Sequence, residues 1–339
     1  MTAPTPHDTP LDHGTPPDAV LIGICTFRRP ELAVTLDSLA RLDPCGLPVT
    51  IAVADNDAVA SARTRVQDIA AAHPMPITYL HAPQASISIA RNALLDHARS
   101  TGTRLLVYLD DDETVEPGWL AALVRRWRDA ANQETGAGAV IGPVRAAYLP
   151  GAPGWMAQAR VHDTLPVTRA DGTIISAYTC NTLIDLADPA TRDLRFDLAR
   201  GRSGGEDTAF FADFLAAGGR IAFAPDAIVH ETVPADRASM AWLLRRRYRM
   251  GQTHASLIAR NRSRTGRFKA AGLAGAKAAA CGGLALLGGI RPAWRNRQIM
   301  RAALHVGAAA YLAGARQVEL YGAAPEQAEP NGPVGPKGR

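Results

Sequence analysis

Residues 108–113 read Tyr-Leu-Asp-Asp-Asp-Glu and follow the apolar run Leu105-Leu106-Val107. Four consecutive acids at the end of a buried strand repel one another and cannot be buried unpaired. A divalent cation relieves that repulsion, because hard ions such as Mg²⁺ or Mn²⁺ prefer carboxylate oxygens. In an open α/β sheet, ligands bind at the carboxyl ends of the strands. A metal and a phosphate-bearing ligand are therefore expected at Asp110, Asp111 and Asp112. The competing reading is a solvated turn that caps the next helix, with Glu113, Thr114 and Glu116 just before Pro117.

The elements that must position these groups alternate. Residues 20–25 are continuously apolar, the mark of a buried parallel strand. Residues 30–42 carry Leu32, Leu36 and Leu39 at helical spacing. A second strand is expected over 49–54, a helix over 58–72, a short strand over 77–81, a helix over 88–99 and a fourth strand over 104–109. This order predicts an α/β fold with a doubly wound, mostly parallel sheet and helices on both faces. A helix over 119–128, strands over 139–145, 174–176 and 221–224, and a helix over 207–217 follow.

The first strand ends in Thr26-Phe27-Arg28-Arg29-Pro30 and the second in Asp55-Asn56-Asp57. In a parallel sheet both ends share the side of Asp110. Arginines there hold a diphosphate through forked N–H groups, and a carboxylate accepts from a base N–H or ribose hydroxyls. No GxGxxG or GxxxxGK[ST] pattern follows the first strand, against a dinucleotide dehydrogenase and a P-loop NTPase. Singly, Asp and Asn at these places are also ordinary turn residues.

With 339 residues and 47% hydrophobic composition, the chain can bury a large core. Four scattered cysteines without CxxC spacing fit free thiols in a reducing compartment. Residues 1–19 lack an apolar signal region and read as a disordered leader, and residues 323–339 as a disordered tail. The net charge of +5 hides a segregation, for residues 237–318 hold 16 Lys or Arg and no Asp or Glu. A polyanionic partner is implied: nucleic acid, anionic lipid or a nucleotide diphosphate. The alternative is a solvated basic face. A basic helix is expected over 242–260, while residues 272–290 are too rich in Ala and Gly for a convincing spanning helix. Residues 237–322 thus read as a basic helical region resting on an anionic membrane surface, with a soluble packing domain as the alternative.

Five short motifs now stand in order: Cys25-Thr26-Phe27-Arg28-Arg29-Pro30, Val53-Ala54-Asp55-Asn56, Ile89-Ala90-Arg91-Asn92, Leu109-Asp110-Asp111-Asp112-Glu113 and Gly205-Glu206-Asp207. Together they resemble family 2 glycosyltransferases, inverting enzymes of the GT-A fold that use nucleotide-activated sugars. The run Arg245-Arg246-Arg247-Tyr248-Arg249-Met250-Gly251-Gln252-Thr253 is similar to the bacterial exopolysaccharide branch, of succinoglycan glucosyltransferase type. The resemblance spans residues 20–255.

It implies a catalytic domain over 20–236 and a role for each matched position. Asp110 and Asp112 match the D-x-D pair that holds Mn²⁺ or Mg²⁺ on the diphosphate, and Asp111 is the variable middle position, a donor-side contact to ribose or else a bystander. Asp55 matches the acid that reads the base, usually uracil. The departure Asp55-Asn56-Asp57 from the commoner D-D-G-S leaves Asp55 and Asp57 as alternatives. Thr26 and Arg28 border base and phosphates, and Arg91 lies near the nucleotide-sugar. Asp207 matches the general base, against the reading of Glu206 or Asp207 as a helix cap acid. His230, at the end of a late strand, is a candidate third metal ligand, against a surface histidine. Trp155, Tyr178 and Asn181, with Glu206, are acceptor-side candidates, against a place in the core. The implied partners are a UDP-sugar and a glycan or lipid-linked acceptor at the cytoplasmic face of a bacterial plasma membrane, with no nucleic acid. The other classes are a nucleotidyltransferase, which would carry a Gly-rich loop after the first strand, and a non-catalytic polyanion- or membrane-binding protein, which would not need acids at several strand ends.

Overall fold

The computed structural model describes residues 18–131, 136–201, 204–260, 262–288 and 290–318. The expected leader and the expected tail over 323–339 lie outside them, apart from Asp18 and Ala19. The chain opens with β1 (Val20–Thr26), α1 (Leu32–Leu39), β2 (Val49–Asp55), α2 (Arg63–Ala70), β3 (Ile77–His81), α3 (Ile87–Ser100) and β4 (Leu105–Asp110). Next come β5 (Glu113–Val115), α4 (Trp119–Ala131), β6 (Ala139–Ile141), β7 (Val144–Tyr148), α5 (Gly154–Ala159), β8 (Val167–Thr168) and β9 (Ile174–Ser176). Then follow β10 (Asn181–Asp185), α6 (Glu206–Ala216), β11 (Ile221–Phe223) and β12 (Val229–Val233). Three long helices close the described chain: α7 (Met240–Arg260), α8 (Arg264–Leu287) and α9 (Pro292–Leu312).

The central sheet has the order β11-β6-β10-β4-β1-β2-β3. Its first four strands in sequence are mutually parallel. Side chains alternate across it, as the two-residue period of a strand requires. Val20, Ile22 and Ile24 join Leu32, Leu36, Val66 and Trp119 on the face covered by α1, α2 and α4. Leu21, Leu106 and Tyr108 join Leu94, Phe210 and Phe214 on the face covered by α3 and α6. Both faces are buried, which is why these strands read as unbroken apolar runs.

Three expectations are corrected. Residues 139–145 are two strands in two sheets: β6 belongs to the main sheet and β7 to a smaller one ordered β5-β12-β7. The break falls at Gly142-Pro143, where a Cβ on Gly142 would stand 2.2 Å from the Ala227 carbonyl oxygen. The helix expected from residue 58 starts at Arg63, because Asp55 draws the Ala62 N–H to its carboxylate at 2.8 Å. Last, β10 was not anticipated; it runs antiparallel between β4 and β6 in the middle of the sheet.

The C-terminal helices pack by a different rule. A Cβ on Gly251 would lie 1.9 Å from the Leu304 oxygen, and one on Gly307 would lie 1.9 Å from the Tyr248 oxygen. The α7 and α9 backbones therefore touch, which only glycine allows. Ala255, Ala274, Ala308 and Leu312 form the small core among α7, α8 and α9. A second cluster of Met156, Ala159, Val161, Leu243 and Met300 ties α7 and α9 to α5.

Candidate active site

Register sets the edge. Thr26 pairs with Asp55, and Cys25 pairs with Asp110, so β1, β2 and β4 end together. The turn after β4 gives its three aspartates different surroundings. Thr26 Oγ1 donates to Asp111 Oδ2 at 2.7 Å, and Thr35 Oγ1 donates to the Asp111 carbonyl at 3.0 Å. The middle acid therefore turns inward; burial pushes its carboxyl up to about 6, against the Thr26 hydrogen bond. Asp112 lies 3.2 Å from Arg29. Asp110 keeps a side chain 43% exposed, with Arg91 at 3.8 Å. Burial of its surroundings raises the Asp110 carboxyl to about 7, opposed by Arg91 and reinforced by Asp112, Asp111 and Glu231.

Two further acids complete this cluster: Glu113, which the motif contains without a role of its own, and Glu231, which the sequence reading did not single out. Glu113 is buried and accepts the Asp110 N–H at 2.9 Å; burial and Asp110 push its carboxyl well above the usual range. Glu231 on β12 is raised by burial and then by Asp112. Alternation along β12 turns the neighbouring His230 to the other side, where its Nε2 meets Glu116 Oε1 at 2.9 Å. The structure thus does not bring His230 to the aspartates, and its expected place as a metal ligand is corrected: Glu231 faces them instead. The signal was present as a two-residue period around His230-Glu231.

No three His, Cys, Asp or Glu side chains among the described residues form a ready-made cation cage. The oxygen-only donors Asp110 and Asp112 fit a cation bound by one or two carboxylates together with substrate phosphates, the usual habit of Mg²⁺.

The second strand end is already internally engaged. Asp55 is fully buried and accepts the Asp57 N–H at 3.1 Å, the Ala62 N–H at 2.8 Å and the Tyr79 hydroxyl at 2.7 Å. Arg28 grips both Asp57 oxygens, at 2.7 and 3.0 Å. That fork lowers the Asp57 carboxyl to about 2. Arg28 itself sits in the left-handed region at φ 54°, a strained conformation for a non-glycine residue and one that clusters at functional sites.

Arg91 connects the donor edge to α6. It is buried, pairs with Glu206 Oε1, and reaches toward Asp110. Glu206 thus gives one oxygen to Arg91, and its Oε2 is buried without a hydrogen-bond partner. Asp207 follows in the first turn of α6, behind Gly205 at φ 82°. Its half-buried carboxylate takes the Thr208 N–H at 2.6 Å and the Thr208 hydroxyl at 3.2 Å, both on Oδ1.

The acceptor-side candidates separate. Asn181 is a core amide: it donates to the Pro143 and Ala227 carbonyls and accepts from the Trp119 indole, so its expected acceptor role is corrected. Trp155 packs against the cluster linking α5 with α7 and α9. Tyr178 is the candidate that stands near Asp207. Its hydroxyl is raised by burial, then by Asp207 and Cys180, and is lowered by Arg247 and Arg246. Those two arginines of α7 were read as part of a basic tail; nothing in their spacing announced that α7 folds back beside Asp207.

A mostly parallel sheet with helices on both faces and acids at its strand ends is the architecture of a GT-A glycosyltransferase. Residues 21–186 match the family described as Glycosyl transferase family 2. The chain is 48% identical over 303 residues to the succinoglycan biosynthesis protein ExoM of Rhizobium meliloti (strain 1021), covering 89% of this chain and 95% of that protein. The chain therefore belongs to glycosyltransferase family 2. Among solved structures it is similar to the mannosyltransferase PcManGT from Pyrobaculum calidifontis, in complex with GDP-Man and Mn²⁺. That match has a TM-score of 0.56 at 20% identity, over 87% of this chain and 89% of that one. S. aureus TarS aligns with a TM-score of 0.49 at 15% identity, over 88% and 92%.

Proposed function

We propose that this glycosyltransferase moves a sugar, with inversion, from a nucleotide-diphosphate sugar to a hydroxyl of a glycan or lipid-linked glycan during bacterial exopolysaccharide synthesis. The observation that carries the reading is Arg91, which lies 3.8 Å from Asp110, pairs with Glu206 and feels the charge of Asp207, and so links the strand-end acids to the start of α6. Asp110 and Asp112 would hold a divalent ion, and Glu231 would add negative charge behind it. That ion, Mn²⁺ or Mg²⁺, supplies charge stabilisation to the departing diphosphate. Asp207 accepts the acceptor hydroxyl proton as the oxygen attacks the anomeric carbon. The bond to the diphosphate breaks on the opposite face, so one carboxylate base inverts the centre. Thr26, Asp111, Asp55 and the Arg28–Asp57 pair shape the nucleotide end, with a uracil nucleotide as the favoured donor. Kinship with ExoM supports the pathway class.

The test joins two measurements. Thermal stabilisation by UDP-, GDP- and dTDP-sugars with Mn²⁺ identifies the donor, since a ligand that binds only the folded state raises Tm. Asp207→Asn is expected to lower kcat about 10²- to 10⁴-fold while the selected donor still raises Tm. Wild-type turnover in that variant would remove Asp207 as the base. In Asp112→Ala, Mn²⁺ binding followed by electron paramagnetic resonance in the presence of the nucleotide is expected to weaken.

A further inference from the structure

Along α8, Ala274, Cys281 and Ala285 are buried, and they define one narrow strip turned toward α7 and α9. Half-buried residues such as Arg267, Ala270, Ala271 and Ala278 flank the strip, and the opposite side of the helix is open. Phe268 is 66% exposed, Leu273 59%, Leu286 84%, Leu287 83% and, just past the helix, Ile290 96%. Between these side chains lie Gly272, Gly275, Ala276, Ala279, Ala280 and Gly283, all exposed. Trp294, at the start of α9, packs against Gly288 and remains 39% exposed. The helix runs 24 residues, about 36 Å at helical rise; from Phe268 on its open face is apolar except for Lys269 and Lys277, and it ends in a knob of three large aliphatic side chains. Isolated exposed leucines need no explanation, but a continuous apolar face of this length marks a docking surface.

Its surroundings select the occupant. Lys269 and Lys277 lie on the exposed side of α8, Arg264 opens its first turn, and Arg291 follows the knob. No acid occurs anywhere from 237 to 318. An apolar face bordered only by cations fits the headgroup–acyl boundary of an anionic bilayer, where long basic side chains snorkel to the phosphates. A second copy would have to bring cations against cations.

We infer that α8 lies in the plane of an anionic membrane surface, with Leu286, Leu287 and Ile290 inserted as its anchor. By length and composition α8 could also span a bilayer. Its buried strip argues otherwise, for α8 packs along α9, which presents Arg297, Arg301 and His305 and cannot cross with it. This inference is independent of which sugar is transferred.

The experiment uses the full chain and sedimentation with vesicles of equimolar phosphatidylcholine and phosphatidylglycerol. Wild type should pellet with these vesicles, fail to pellet with pure phosphatidylcholine, and dissociate partly in high salt. The double variant Leu286→Glu with Leu287→Glu should partition at least about tenfold less, since each buried leucine contributes roughly that factor. Both side chains are exposed, so its thermal melt should match wild type. Val59→Glu, at an exposed site far along the chain, should pellet like wild type. Equal pelleting of the double variant and wild type overturns the inference. So does concentration-dependent dimerisation that the double variant abolishes without vesicle binding. Retention of the cellular protein in membranes after alkaline carbonate extraction would show α8 spanning instead, and would also overturn it.

Discussion

The α/β region and the C-terminal helices solve the same packing problem with opposite materials. In the first, acids collect at one sheet edge and are answered by arginines: Arg91 from α3 to Glu206 and Asp110, and from the loop after β1 Arg28 to Asp57 and Arg29 to Asp112. In the second, there are no acids to answer, and α7, α8 and α9 close on glycine and alanine. A buried charge must be matched by an opposite charge, whereas backbone contact requires only the absence of a side chain. The first arrangement ties stability to the groups that would do chemistry. The second leaves one helix face free.

The comparison is broken most directly at Arg91. Arg91→Met leaves Glu206 buried and unpaired, and a broken buried pair typically costs about 3–5 kcal/mol. Urea denaturation should show that loss, and Glu206→Gln in the same background should restore part of it. A loss under about 1 kcal/mol would show that the charge bridge is not structural.

A second test lies where the two regions meet. His162 is buried; its ring contacts the Tyr148 hydroxyl at 2.9 Å and the Arg237 carbonyl at 3.2 Å, and stacks on Trp242. Burial, then Arg246, Arg247 and Arg237, hold its pKa down to about 4, against the Arg237 carbonyl. The folded state therefore keeps His162 neutral while the unfolded chain takes a proton near pH 6.5. The stability this group contributes is complete above pH 6.5 and falls as pH drops toward 4, by on the order of 3 kcal/mol in all. Carboxyls raised at the active site push the other way, so the measurement is the difference between wild type and His162→Asn across pH 4–7. Parallel curves would refute it.

The helical region predicts smaller effects of opposite sign. Gly307→Ala forces a methyl into the Tyr248 backbone and should destabilise by about 1–3 kcal/mol or more. Gly272→Ala meets nothing within 4 Å on a helical backbone and should stabilise by about 0.5–1 kcal/mol. Thermal melts of the two variants should move in opposite directions; movement in the same direction would mean that close backbone packing does not distinguish these sites.

Legibility in the sequence followed the same division. The strands β1, β2 and β4 were readable because both their faces are buried and their residues are correspondingly apolar. β10 was not, because it buries Asn181, Thr182 and Asp185 as well as Leu183 and Ile184. Its polar ends are satisfied at a distance: Asp185 receives Arg104 and the Trp127 indole, partners that no local period reveals. At the site, the aspartates and Asp207 were visible as types at strand and helix ends. Their division of labour was not, since only the folded turn shows Asp111 drawn to Thr26 and Glu231 facing Asp112.

Gly205 carries a last consequence. A Cβ there would stand 2.2 Å from Thr253 Cγ2 on α7, so the loop leading to Asp207 leans directly on a helix from the acid-free region. The proposed base and the membrane seat inferred for the C-terminal helices would then share one mechanical foundation: trimming the protein after residue 236 would leave Asp207 on a hinge with no doorframe.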